Sequence, residues 1–180
     1  MKARLIQIAA VLLVALLPGF AQADRLAQLF ENLARPGETG WQDTEDEIWD
    51  IWSRSGSPAM DLLLERGRTA LEAGDTTGAI EHFTALVDHA PDFAEGWNAR
   101  ATAYFMAGLY GPSLADIRRT LVLEPRHFGA LSGLGLILEE TGQAGAALQV
   151  YRKVIEINPH RADVSEAIER LEKDAGGRAA

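Results

Sequence analysis

Cysteine is absent from the 180 residues, which removes disulfides, thiolate metal sites, a cysteine nucleophile and a lipidated N-terminal cysteine. That absence is compatible with an oxidising compartment without pointing to one. Positive charge is scarce. Against 26 Asp and Glu stand 17 Lys and Arg, for a formal net charge of −9. Without Lys2 and Arg4, which lie in a segment expected to be removed, 15 basic side chains face 26 acidic ones, a balance of −11. A polyanion of that sign repels nucleic acid and anionic lipid surfaces, so neither is expected as a partner.

Motifs that carry chemistry are missing too. The glycines of 129–135 follow no expected strand and precede no Gly-Lys-Ser/Thr, so they make no phosphate loop. Asp43, Glu45, Asp46 and Glu47 lack the alternation and central glycine of a calcium loop. They read instead as the start of a helix, where negative charge is favoured. No serine lies in a nucleophile elbow. His82 and His89 share a helix face but stand ~10 Å apart, too far to ligate one metal. His127 and His160 hold nearly equivalent places after successive repeat prolines, which periodicity explains. We therefore expect no catalysis by this chain alone, no cofactor and no metal.

Long apolar runs are confined to residues 5–17, broken only by Gln7. Lys2 and Arg4 precede that run, Pro18-Gly19 interrupts it, and Ala21-Gln22-Ala23 follows. The pattern predicts a signal peptide over 1–23, cleaved after Ala23, with export to a periplasm as the destination. Thirteen residues of helix span roughly 20 Å, short of the ~30 Å hydrocarbon core, so no stable membrane insertion is expected after cleavage. An uncleaved anchor is the competing reading.

What is present is a repeat. Pro91, Pro125 and Pro159 stand 34 residues apart, as do Gly40, Gly74, Gly108 and Gly142. One helical hairpin copied in tandem gives such a double ladder at constant offset. The units fall at 60–93, 94–127 and 128–161. Their first helices carry Leu63, Trp97 and Leu131 at one place, and the small residues Gly67, Ala101 and Gly135 four later. A small residue is needed there because a larger Cβ would push close helices apart. Ala70, Tyr104 and Leu138 follow on the same face. In the second helices Ala79, Ser113 and Ala147 are small, Phe83, Ile117 and Tyr151 fill the inter-helix space, and Leu86, Thr120 and Val154 continue the stripe. The glycines should end first helices in a left-handed conformation, and the prolines should end second helices.

In these residues the chain resembles the tetratricopeptide repeat family, whose large-small-aromatic-small-aromatic-small-proline pattern is matched by Trp97, Ala101, Tyr104, Ser113, Ile117, Thr120 and Pro125. The likeness covers about 60–161, with Ile117 in place of an aromatic and Thr120 in place of alanine. It implies an all-α solenoid of helical hairpins, a right-handed superhelix whose concave wall is lined by first helices. Carried over position by position, the groove residues are Leu64, Arg68, Leu71 and Glu72 from the first repeat, Asn98, Thr102, Phe105 and Met106 from the second, and Ser132, Leu136, Glu139 and Glu140 from the third. Asn98, Thr102 and Ser132 would hydrogen-bond an extended backbone, and Arg68 reads as a lone cation. Phe105 and Met106 would be apolar anchors unless they pack against the next repeat. The lysine–asparagine clamp that some members use for C-terminal carboxylates is not matched, since this groove has no lysine.

The ends are less regular. Leu26, Leu29, Phe30 and Leu33 have amphipathic helical spacing, Thr44-x-x-Glu47 matches a capping box, and Trp49 and Trp52 fall in register with Phe83 and Leu86. Residues 24–59 are expected to form a degenerate capping repeat. Trp41, Trp49 and Trp52 could be an exposed aromatic patch or be buried, and the N-terminal segment could lie in the groove. Val164, Ala167, Ile168 and Leu171 predict a capping helix over 162–174, with 175–180 a frayed tail. The function expected is a non-catalytic scaffold of the cell envelope that holds a protein or peptide in its groove. A co-chaperone or accessory subunit of envelope assembly, and more remotely a hydrolase, are the alternatives. Partner identity and oligomeric state stay open.

Overall fold

The computed structural model describes the backbone of residues 18–37 and 39–178 and the side chains of 22–37 and 39–176. The apolar run at 5–17 lies outside the described residues. Those described form α1 (Pro18–Leu33), α2 (Trp41–Trp52), α3 (Pro58–Glu72), α4 (Thr76–His89), α5 (Ala94–Met106), α6 (Tyr110–Leu123), α7 (Phe128–Glu140), α8 (Ala144–Ile157) and α9 (Ala162–Arg178). No strand occurs among them, and none of these helices is long and apolar enough to cross a membrane. The contacts divide the chain into two units, 1–51 and 52–180.

In the first unit Leu29, Phe30, Leu33 and Ile48 are buried. Arg25 and Glu47 make a two-pronged pair, with Nε to Oε1 at 2.7 Å and Nη2 to Oε2 at 2.6 Å. That pair replaces the expected capping box. Gly40, at φ +81°, lets the chain turn early, so α2 starts at Trp41 and Thr44 lies within it.

The second unit is three helical hairpins, α3/α4, α5/α6 and α7/α8, closed by α9 against α8. The first helices α3, α5 and α7 also touch one another, forming an inner row. Each hairpin turns through a glycine with positive φ: Gly74 (+78°), Gly108 (+73°) and Gly142 (+76°). Just beyond each, the next amide returns to a carbonyl five residues back, as Asp75 N–H does to Ala70 O at 2.8 Å and Leu109 N–H to Tyr104 O at 2.8 Å. This is the six-to-one bond of a Schellman turn. Asp75 then caps α4 by accepting from Gly78 N–H at 2.9 Å.

Within each hairpin the close approach is set by a matched pair. A Cβ added to Gly67 would stand 2.2 Å from the Phe83 ring, and one on Gly135 would stand 2.2 Å from the Tyr151 ring. In the middle hairpin Ala101 brings its own methyl and Ile117 replaces the ring, both buried in one cluster with Ala130 and Ile137. The departure at Ile117 thus has a partner across the helix pair. Between hairpins, Leu86 seats against Gly96, Ala99 and Ala103. Arg100 ties three helices, reaching Asp116 through Nε (2.6 Å) and Nη2 (3.0 Å), and Thr84 through Nη1 (3.3 Å).

The ends depart from the regular repeat. By register, the α3 face bearing Leu62, Glu65, Thr69 and Ala73 matches the buried Gly96, Ala99 and Ala103 of α5. It is exposed instead, Leu62 to 44%. Nor does Trp52 do what Leu86 does: it meets His127 and Phe128. At the other end α9 continues through the expected tail to Arg178.

Candidate functional site

The inner row of first helices converges on a buried acid. Glu95 lies in the first turn of α5, where the helix dipole favours a carboxylate. It is 3% exposed, so its charge requires partners within the fold. Arg68 of α3 donates from Nη2 to Oε1 at 2.7 Å, and Asn98 of the same turn donates to Oε2 at 2.9 Å. His127, wholly buried just before α7, meets Oε2 through Nε2 at 3.0 Å.

The histidine tautomer follows from its other nitrogen. His127 Nδ1 accepts from Ala130 N–H at 3.2 Å, capping α7. An accepting Nδ1 leaves the proton on Nε2, which therefore donates to Glu95. One carboxylate thus links three first helices, and His127 serves both as a helix cap and as a bridge between repeats. Above this cluster, Trp52 stacks on the His127 ring with centroids 4.1 Å apart and planes 10° apart, and tilts against Phe128 at 5.1 Å. Ser53 Oγ accepts from Arg68 Nη2 at 3.1 Å.

Several predicted groove residues take other roles. Leu64 is 2% exposed and belongs to the core with Phe83 and Leu86, and Leu71 packs against that core. Arg68 is an ion-paired member of the cluster, not a lone cation, and Asn98 is spent on Glu95. Thr102 and Ser132 direct their hydroxyl protons to carbonyls four residues back, those of Asn98 and Phe128, leaving only oxygen lone pairs outward. Phe105 is half-buried against Tyr110, with ring centroids 5.6 Å apart. Met106 and Leu136 remain open, at 53% and 45% exposure, as do Glu72 and Glu140.

Glu139 is likewise engaged. It pairs with Arg170 of α9 and accepts from the Tyr151 hydroxyl at 3.2 Å. Burial first, and then the charge of Glu139, push the Tyr151 phenol well above its usual range. Here α7, α8 and α9 border an open pocket of about 220 Å³ lined by Ser132, Leu136, Tyr151, Arg161, Asp163 and Arg170, among others. Arg161 holds Asp163 with two bonds, at 2.9 and 2.7 Å, which keeps that carboxyl below its usual range.

Sequence reasoning missed Glu95 and His127. Glu95 precedes Asn98 by one helical turn on the same face, a signal that was available. For His127, the interval from Pro125 suggested only repetition.

The tetratricopeptide repeat profile matches residues 64–111 and 112–162. A TPR repeat-containing protein of Rhizobium etli is 36% identical over 156 residues, covering 86% of this chain and 76% of its own. DnaJ homolog subfamily C member 3 of Rattus norvegicus is 31% identical over 110 residues, or 61% of this chain, which spans only 22% of that protein's length. Among solved structures, the first TPR of Spaghetti (RPAP3) bound to HSP90 peptide SRMEEVD superposes with a TM-score of 0.62 at 20% identity, covering 65% of this chain and 95% of its own. The Sgt2 TPR domain from Aspergillus fumigatus gives 0.63 at 23% identity, covering 68% and 83%. At those identities the likeness is one of fold.

Proposed function

Because the chain belongs to the tetratricopeptide repeat family, we propose that its hairpin array is a non-catalytic scaffold that holds a segment of a partner protein against the inner row of first helices. The observation that carries this reading is the arrangement of that row. Arg68, held by Glu95 yet with 40% of its side chain exposed, stands in the same row of first helices as the apolar Met106 and Leu136, both near half exposed. Ordinary surface placement scatters such residues, whereas recognition sites put a few positioned polar groups beside apolar anchors. Similarity to a solved domain described as bound to an HSP90 peptide supports a protein or peptide partner. Similarity to a DnaJ homolog and to Sgt2 favours, as a second reading, a co-chaperone or accessory subunit.

The envelope setting rests on the charged, apolar and small-residue pattern of 1–23. One experiment addresses both parts. Photo-crosslinking residues are placed at Met106 and Leu136, and at Val122, 72% exposed on the second helix of its hairpin. The expected outcome is one stoichiometric adduct from the two inner positions, in the envelope fraction, on a chain whose N terminus is Asp24. Equal labelling from Val122 would remove the inner face as the binding surface. A cytosolic chain that retains Met1 would remove the export reading.

A further inference from the structure

The inner face is already in contact with a two-residue signal from its own chain. Trp52 is 7% exposed, lying flat on His127 and against Phe128. The next residue, Ser53, offers its hydroxyl oxygen to Arg68. The floor beneath them is held by bonds in which neither residue takes part. His127 is held at both nitrogens, by Ala130 N–H and by Glu95, and Glu95 is also held by Arg68 and Asn98. An aromatic ring on a buried imidazole, followed at once by an acceptor on a guanidinium, reads two successive side chains at opposite ends of one polar cluster. Such a floor need not reorganise to receive an equivalent pair, and preorganisation of this kind favours affinity.

We propose that this seat is the specificity-determining subsite of the groove. The segment it takes from a partner carries an aromatic side chain followed directly by a hydrogen-bond acceptor, Ser, Thr or Asp. Trp52–Ser53 is the built-in occupant that such a segment displaces. The proposal rests on the inner-face reading above and adds to it the chemistry of the partner. Arg68 keeps 40% of its side chain exposed while bonding Ser53. An aspartate in the second position therefore makes a charge-assisted bond there, stronger than that of a hydroxyl. His127 presents a flat π-face on which the Trp52 ring stacks, so the first position prefers Trp, Tyr or Phe over an aliphatic side chain.

The test uses the full chain and the full chain carrying Trp52→Ala and Ser53→Ala together. The probe is a labelled synthetic peptide copying residues 50–56, followed by fluorescence anisotropy. The vacated chain should bind it at least tenfold more tightly than the wild-type chain does. Replacing the peptide's tryptophan by alanine should abolish the gain, and Ser→Asp in the peptide should strengthen it. Arg68→Met in the vacated chain should weaken binding while leaving the aromatic preference intact. Equal binding to both chains, or none to a vacated chain that still unfolds cooperatively, would overturn the proposal. Loss of cooperative unfolding in the vacated chain would overturn it as well, since Trp52 would then be core rather than a displaceable occupant. If the peptide fails while Met106 and Leu136 still crosslink a partner, the aromatic–acceptor seat falls and the inner-face reading stands.

Discussion

Adding a single methyl group at Gly67 tests whether each hairpin is spaced by its own matched pair. The new Cβ would lie 2.2 Å from Phe83 Cε1 and 2.6 Å from Cδ1 and Cζ. Comfortable carbon–carbon contact is about 3.5–4.0 Å, so the ring would have to retreat by about 1.3–1.8 Å. Phe83 is fully buried among Leu64, Ala79 and Leu86 and has nowhere to go. Overpacking of this kind costs about 1–3 kcal/mol. Alanine in a helix interior returns about 0.5–1 kcal/mol relative to glycine, which leaves a net loss centred on about 1 kcal/mol and at most about 2.5 kcal/mol. The middle hairpin shows the compensation, since Ala101 is accommodated by Ile117. Gly67→Ala should therefore be neutral or stabilising in a Phe83→Ile background, giving a coupling of about 0.5–3 kcal/mol across the double-mutant cycle. Urea unfolding followed by far-UV circular dichroism measures all four corners. Equal destabilisation by Gly67→Ala in both backgrounds would refute the pairing argument.

Two further outcomes follow from single residues. Gly108 has φ +73° with no atom near a prospective Cβ, so Gly108→Ala should cost about 1–2 kcal/mol from backbone conformation alone; a midpoint unchanged in urea would mean that the turn relaxes. The Tyr151 phenol is raised above its usual 10.0 by burial and by Glu139. Above about pH 10 the unfolded chain gives up this proton while the folded chain keeps it, so stability falls as pH rises past that point. Tyr151→Phe should flatten that slope in urea midpoints taken between about pH 9 and 11, and an unchanged slope would assign it to other groups.

The array was legible because its signals are local. A glycine at positive φ and a proline after a helix act through the backbone of the residue itself, so Gly74, Gly108, Gly142 and Pro91 announce turns without knowledge of the rest. The small residues at Gly67, Ala101 and Gly135 were legible for a related reason: their constraint repeats at a fixed interval. The cluster around Glu95 was not. Trp52, Arg68, Glu95 and His127 come from segments far apart in sequence, and only the stacking of hairpins brings them together. Position transfer also assumed that the inner wall is uniformly open. In the first repeat that assumption fails at Leu64, which the core needs, and in the third at Glu139, which α9 recruits through Arg170. The register of Trp52 with Leu86 pointed to burial, and Trp52 is buried, but its partners His127 and Phe128 follow from the fold and not from the spacing.

The exposed side of α3 carries a consequence of its own. Identical modules that bury the same surface again and again can in principle add further copies end to end, and heterologous contacts that never close make fibres. Glu65, Arg66 and Thr69 stand where the later hairpins have Ala99, Arg100 and Ala103 or Gly133, Leu134 and Ile137, and at the opposite end α9 turns Glu166, Glu169 and Lys173 to solvent. Bringing two such ends together would strip water from these charges. Desolvating them opposes the end-to-end addition of a further copy.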